Sequence, residues 1–164
     1  MKQNYEVTRQ LKRFFFQMNI LFWVFLSGIV LFGTAVWLVT AGGRVSSDPE
    51  SADWLRFAAP ISGLFMIILG QRLFTGRIKK VREAETVYEK MEGYRGASVL
   101  RMIVLDGAAF VNIMAFLYCG VQMLMALCLA VIVVFFLHKP SLEKLIADLR
   151  MSDLEAKVLR DHIK

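Results

Sequence analysis

The chain has 164 residues, of which 57% are hydrophobic, and its formal net charge is +6. Its mean hydropathy is +0.52, and its apolar content exceeds that of soluble domains, in which about half of the residues are apolar. These values exclude an ordinary soluble domain. The two cysteines, Cys119 and Cys128, have neither metal-ligand spacing nor the pattern of a disulfide framework.

Four apolar segments indicate an integral membrane protein. They cover residues 14–40, 55–74, 99–118 and 121–137, and each is close to the ~20 residues with which a helix crosses a bilayer. The alternating pattern of an outer-membrane barrel is absent. The sequence therefore predicts an all-α fold, with four transmembrane helices arranged as two helical hairpins. Residues 1–140 form the predicted transmembrane domain, and residues 141–164 form an amphipathic cytoplasmic tail.

The charges between the segments predict the orientation. The N-terminal head, the loop after the second segment and the tail are basic, whereas the loop between the first two segments has only Arg44 against Asp48, Glu50 and Asp53. By the positive-inside rule, four crossings place both termini in the cytoplasm, and the protein is predicted to be a multi-pass protein of the inner (cytoplasmic) membrane. The same rule explains the positive net charge without a nucleic-acid partner.

The first segment has Trp23 and Trp37 about one membrane thickness apart, which is typical of an interfacial aromatic belt. Gly28 and Gly33 belong to a patch of small residues that would let a neighbouring helix approach closely. Asp53 is a candidate N-cap for the second segment.

The inner loop, residues 76–97, is charged but has apolar residues at near-helical spacing. We expect the second helix to extend beyond the membrane and the chain to return at Gly93 and Gly96. This helical cytoplasmic extension is either a solvated, salt-bridged hairpin or a docking surface for a cytoplasmic partner. Four of its basic residues are either topological charges or ligands for anionic lipid headgroups: Arg77, Lys79, Lys80 and Arg82.

The third and fourth segments are joined by a tight turn, and the tail follows Pro140. Ser141 is the predicted N-cap of an amphipathic helix with Leu145 and Leu149 on one face. Ser152 and Glu155 have the spacing of a capping box that would open a second short helix. These helices are expected on the membrane surface or on the inner loop, and a partner-binding tail is the alternative.

Asp106 is a carboxylate inside a predicted span, about 10 Å from its start at 1.5 Å per residue. A charge at the centre of a membrane helix costs about 2.5–3.5 kcal/mol on insertion scales, so a pairing partner or a function is expected. The candidate partners are Arg72, Gln71 and Arg101, and Arg72 is favoured because facing helices would bring it to a similar depth. The alternative is a carboxylate that titrates and carries protons or cations.

The segment from Asp106 to Phe110, Asp-Gly-Ala-Ala-Phe within a long helical hairpin, resembles the ion-binding carboxylate region of rotary ATPase proteolipid subunits. That resemblance implies an ion-carrying role for Asp106. It covers about a dozen residues, and the family's glycine-rich inner helix is missing, so the family is not assigned. The whole chain resembles small uncharacterised four-span inner-membrane proteins of bacteria, and this likeness of architecture implies no function.

Signals for an enzyme are poor. His138 and His162 are the only histidines, and neither belongs to a cluster with metal-ligand spacing. No nucleophile elbow, phosphate-binding loop or dinucleotide motif occurs, so no cofactor is expected. The sequence favours a structural or accessory membrane subunit that contacts lipids and forms a homo-oligomer or joins a larger membrane complex. The alternative is a proton- or cation-handling component that uses Asp106.

Overall fold

The computed structural model describes residues 2–43, 49–84, 86–153, 156–157 and 159–160. Five helices are present: α1 (Lys2–Ala41), α2 (Pro49–Arg82), α3 (Val87–Cys119), α4 (Gln122–Leu137) and α5 (Leu142–Leu149). These ranges contain no strand, which confirms the all-α prediction for the described part of the chain. Arg44, Asp48 and Glu155 lie outside it, and so does the capping box predicted at Ser152 and Glu155.

Three helices are long and apolar enough to cross a membrane: α1 from Leu11, α2 from Asp53, and α3. Helices α4 and α5 form a pair bent by 81° that would supply a fourth span if counted as one. The long helices present large apolar side chains outward, such as Leu31, which is 71% exposed, and Phe57, which is 68% exposed. Exposed apolar surface of this extent is costly in water, so the helices are compatible with a membrane-embedded protein.

Helices α2 and α3 form a closely packed antiparallel hairpin. A Cβ placed on Gly63 would lie 2.5 Å from Nδ2 of Asn112, and one placed on Gly70 would lie 3.2 Å from Cγ1 of Val104. The absence of a side chain at these glycines lets the two backbones approach. Helix α3 also contacts α1, α4 and α5, so it is the central helix of the fold.

The buried residues form two hydrophobic cores. The first lies among α1, α2, α3 and α4 and includes Phe22, whose ring centroid is 5.3 Å from that of Phe135. The second, the inner core, joins Leu11 of α1 and Ile78 of α2 to α3 and α5. Helix α5 contributes Leu145 and Leu149 to it, and both are buried. Of the two placements expected for this amphipathic helix, the structure therefore shows the inner loop.

The chain returns between the end of α2 at Arg82 and the start of α3 at Val87, which corrects the return predicted at Gly93 and Gly96. Thr86 and Glu89 form a reciprocal capping box that begins α3, and this pattern outweighs the low helix propensity of the glycines. Gly93 instead lies inside α3, where a Cβ would be 2.5 Å from Cγ2 of Val81.

Asp53 is likewise not the N-cap of α2, because that helix begins one turn earlier, at Pro49. Proline is well suited to the first position of a helix, where its missing N–H has no intrahelical acceptor. The helix start is therefore set by Pro49.

The packing of Gly93 predicts a measurable contrast with Gly96. Gly93→Ala should lower the free energy of unfolding by about 1 kcal/mol or more, because the overpacking cost of about 1–3 kcal/mol exceeds the gain in helix propensity. Gly96→Ala, where a Cβ meets nothing within 4 Å, should raise it by about 0.5–1 kcal/mol. Thermal unfolding in detergent measures both. The double variant Gly93→Ala/Val81→Ala should recover part of the loss, and equal effects at the two glycines would contradict this packing.

Candidate functional site

Asp106 lies in a groove between α1 and α3. The groove has a volume of about 280 Å³, and its other lining residues are apolar: Gly28, Ile29, Phe32, Phe110 and Ile113. A Cβ on Gly28 would meet nothing within 4 Å, so this glycine helps to keep the groove open. Asp106 is half-buried, and no described residue forms a hydrogen bond or ion pair with its carboxyl group. Asp106 therefore lies on the side of α3 that lines this groove with α1.

The register of the hairpin separates Arg72 from Asp106. Gly70 contacts Val104, and the ring of Phe74 contacts Arg101. Arg72 is consequently opposite the turn of α3 around residue 102, about one helical turn (~6 Å) closer to the inner end than Asp106. Arg72 is also exposed. The structure thus does not bring together the favoured pair.

Gln71 and Arg101 do come together, in a second cavity between α2, α3 and α4. We call it the inner cavity; it has a volume of about 300 Å³, and its lining residues are Ile67, Gln71, Arg101, Leu105, Val134 and His138. Arg101 is only 6% exposed, and its guanidinium carbon lies 3.8 Å from the centroid of the Phe74 ring. This is a close cation–π contact. Arg101 Nε has no hydrogen-bond partner.

His138 is the member of the inner cavity that sequence reasoning missed. It is the C-cap of α4, and its Nδ1 lies 2.7 Å from the carbonyl oxygen of Val134. A hydrogen bond from Nδ1–H to this carbonyl leaves Nε2 for another partner. The sequence did contain a signal for this pairing. Arg101 and His138 lie at the inner ends of the third and fourth segments, and a tight hairpin brings them to a similar depth.

A polar contact next to the inner cavity attaches α5 to the α2–α3 hairpin. Arg82 donates from Nε and Nη2 to the backbone carbonyl of Asp148, at 2.9 and 2.7 Å. The Tyr94 hydroxyl donates to the Asp148 carboxylate at 3.4 Å. Arg82, one of the four candidates for lipid headgroups, is therefore half-buried and occupied by the tail. The other three, Arg77, Lys79 and Lys80, are exposed.

The tail also has an exposed ion pair. Arg160 donates to both carboxylate oxygens of Glu143, at 3.1 and 2.7 Å, and this hydrogen bonding lowers the pKa of Glu143 below its usual range. The pair connects the end of the described chain to α5. Exposed pairs of this kind contribute little to stability, so the buried leucines of α5 are the main attachment.

Asn112 and Ser98 are the remaining buried polar residues of the described ranges. Asn112 donates from Nδ2 to the carbonyl of Ala108 at 2.8 Å, while its Oδ1 and the hydroxyl of Ser98 have no partner. The described ranges contain no group of three His, Cys, Asp or Glu side chains that could hold a metal ion. Cys119 and Cys128 are buried and form no disulfide.

Comparison with known proteins found no match: no protein-family model, no curated protein and no solved structure is significantly similar to this chain.

Proposed function

We propose that this protein is a four-span integral membrane protein that acts as a structural or accessory subunit of a membrane assembly, without enzymatic activity. The observation that carries the proposal is the arrangement of apolar surface. Helices α1 and α2 are long enough to span a bilayer, yet less than a third of their most apolar windows is buried within the chain. Their outward faces are therefore available to lipid and to neighbouring membrane helices.

The contacts of α4 support a fourth crossing. At one end, Met125 lies 4.0 Å from the position of a Cβ on Gly33 of α1. At the other, Phe136 packs against Trp23, and Lys139 lies 5.6 Å from the centre of the Trp23 ring. Helix α4 therefore accompanies α1 from its outer half to Trp23, which is at the level expected for an interfacial tryptophan. The sharp bend to α5 then lies at the inner boundary.

The orientation follows from charge. Lys79 and Lys80 lie in the last turn of α2 near the inner core, and Lys139 follows the end of α4. The positive-inside rule then favours a cytoplasmic location for the inner core and for both termini. The membrane proposed is the inner (cytoplasmic) membrane.

An apolar groove in the outer half of the molecule offers a surface for a neighbouring subunit. It has a volume of about 450 Å³ between α2 and α3. Small residues line its floor, among them Ala58, Ala59 and Ser62, and Trp54 and Tyr118 lie at its outer end. Small residues allow close helix approach in membranes, which favours a homo-oligomer or a larger complex as the context of this protein.

The alternative function is proton or cation handling at Asp106. The observation in its favour is a half-buried carboxyl group in an open groove without a cationic partner among the described residues. Its weakness is chemical: the other lining residues of the groove are apolar, whereas cation sites and proton relays need several oxygen ligands or titrating groups. The accessory role is therefore preferred.

The number of crossings predicts a labelling pattern. In a Cys119→Ala/Cys128→Ala background, Gly42→Cys should react with a membrane-impermeant maleimide in intact cells. Arg77→Cys and Asp153→Cys should react only after the membrane is opened, because four crossings put α2's inner end and the tail on the same side. Reaction of Asp153→Cys from outside, with Arg77→Cys protected, would show three crossings.

The accessory role predicts a neighbour on the exposed face of α2. A photoreactive phenylalanine in place of Phe57, which points outward, should form cross-linked bands of discrete mass in native membranes. The same replacement of Phe22, which is fully buried, should form none to other chains and serves as the control. A band at twice the mass of the chain indicates a homo-oligomer, and another discrete mass indicates a larger complex. Cross-linking to lipid alone from Phe57 would rule out a neighbour on this face.

The decay of a pH gradient across liposomes distinguishes the accessory role from ion handling. If the accessory role is correct, liposomes that contain the purified protein should hold a pH gradient as long as protein-free liposomes do, and Asp106→Asn should behave identically. The exposed Asp53→Asn variant is the matched control. A gradient that collapses with the wild-type protein and with Asp53→Asn, but not with Asp106→Asn, would replace the accessory role with ion handling.

A further inference from the structure

Arg101 is an unusual group, because it is the one charged side chain that is buried among the residues described. Its Nε lacks a hydrogen-bond partner. No carboxylate oxygen of the described chain lies within 4.0 Å of a guanidinium nitrogen of Arg101, the distance that defines an ion pair. The acid nearest in the fold, Asp148, accepts its hydrogen bond from Tyr94. Arginine remains protonated in proteins. Asp148 therefore acts on this buried cation only from beyond ion-pair distance, and no carboxylate of the described chain binds the guanidinium directly.

The inner cavity that Arg101 lines has one polar end and one apolar end. Each of the three helices contributes a polar residue and, four positions away, an apolar one: Gln71 and Ile67 on α2, Arg101 and Leu105 on α3, His138 and Val134 on α4. Given the direction in which each helix runs, the polar residue is always the one nearer the inner core. The apolar ends lie about 6 Å closer to the membrane centre.

The depth of the cavity matches that of lipid phosphates. His138 directly precedes Lys139, whose ammonium group lies over the Trp23 ring, and tryptophan with lysine at a helix end marks the membrane interface. A guanidinium is well suited to phosphate because its planar set of N–H donors can bind two oxygens. The cation–π contact with Phe74 orients that plane without using its N–H groups.

We propose that the inner cavity binds the phosphate of an anionic phospholipid from the inner leaflet. Arg101 donates to the phosphate oxygens at the polar end of the cavity. Gln71 and Nε2 of His138 lie at the rim of this polar end. The first methylene groups of an acyl chain pack at the apolar end, against Ile67, Leu105 and Val134. The cavity volume of about 300 Å³ accommodates the phosphodiester and this part of the chain, while the rest of the lipid lies outside along α2 and α4. The inference rests on the membrane placement proposed above.

The test uses the full-length protein, delipidated in a neutral detergent. Phosphatidylglycerol, phosphatidylcholine and inorganic phosphate are titrated separately, with thermal unfolding and native mass spectrometry as readouts. Phosphatidylglycerol should raise the melting temperature, since a ligand of the folded state stabilises it, and should remain bound at one copy per chain. Phosphatidylcholine should bind at least about tenfold more weakly, because its choline offsets the phosphate charge.

The variants isolate Arg101. Arg101→Gln should weaken phosphatidylglycerol binding about tenfold or more, since charge-assisted hydrogen bonds to the phosphate are lost, while Arg101→Lys should retain part of it. Arg72→Gln, an exposed arginine next to Gln71, is the matched control and should be unchanged. If Arg101→Gln fails to fold, Gln71→Leu and His138→Leu keep the cation and should each weaken binding several-fold.

Three outcomes would overturn the proposal. The first is that Arg101→Gln binds phosphatidylglycerol as tightly as the wild type. The second is that Gln71→Leu and His138→Leu both do so. Either result would place the lipid elsewhere. The third is that inorganic phosphate raises the melting temperature of the protein and phosphatidylglycerol does not, which would assign the cavity to a soluble phosphate. The membrane placement is judged separately by the cysteine labelling above, so loss of the lipid site with correct labelling would leave the proposed function standing.

Discussion

The close packing of α2 against α3 is the constraint on which the rest of the structure depends. The interface between the two helices has glycines where a side chain would clash, at Gly63, Gly70 and Gly93. The backbones can therefore approach closely, and these contacts fix the register of the hairpin. Packing in membranes favours such small-residue contacts, because lipid supplies no hydrophobic drive for helices to associate. That register decides which residues of α3 face α2, and consequently where Arg101 and Asp106 lie.

Arg101 and Asp106 differ in environment although only five residues separate them. Five residues correspond to about 1.4 helical turns, so the side chains leave α3 on different faces. Arg101 enters the inner cavity between α2 and α4, while Asp106 faces the groove along α1. Sequence analysis treated these two residues as candidate partners, but they line two separate cavities, and Arg101 is the more deeply buried of the two.

The inner core makes helix α5 a continuation of the bundle of long helices. Leu145 and Leu149 of α5 pack with Leu11, Ile78 and other residues of the helix ends, and the Arg82–Asp148 contact fixes the same helix. The amphipathic face of α5 is thereby satisfied by protein. Of the basic residues near the end of α2, Arg82 is thus bound by the tail, whereas Arg77, Lys79 and Lys80 remain exposed.

The sequence by itself determined the all-α class and the apolar segments within the long helices, since the length and hydropathy of a segment are local properties. It also determined the Ser141 cap, which the structure confirms through its bond from the Lys144 N–H. Only the tertiary structure decided which polar groups meet. The separation of Asp106 from Arg72 and the meeting of Arg101 with His138 depend on helix register and rotation, and these follow from contacts at glycines such as Gly70 that no single-helix pattern contains.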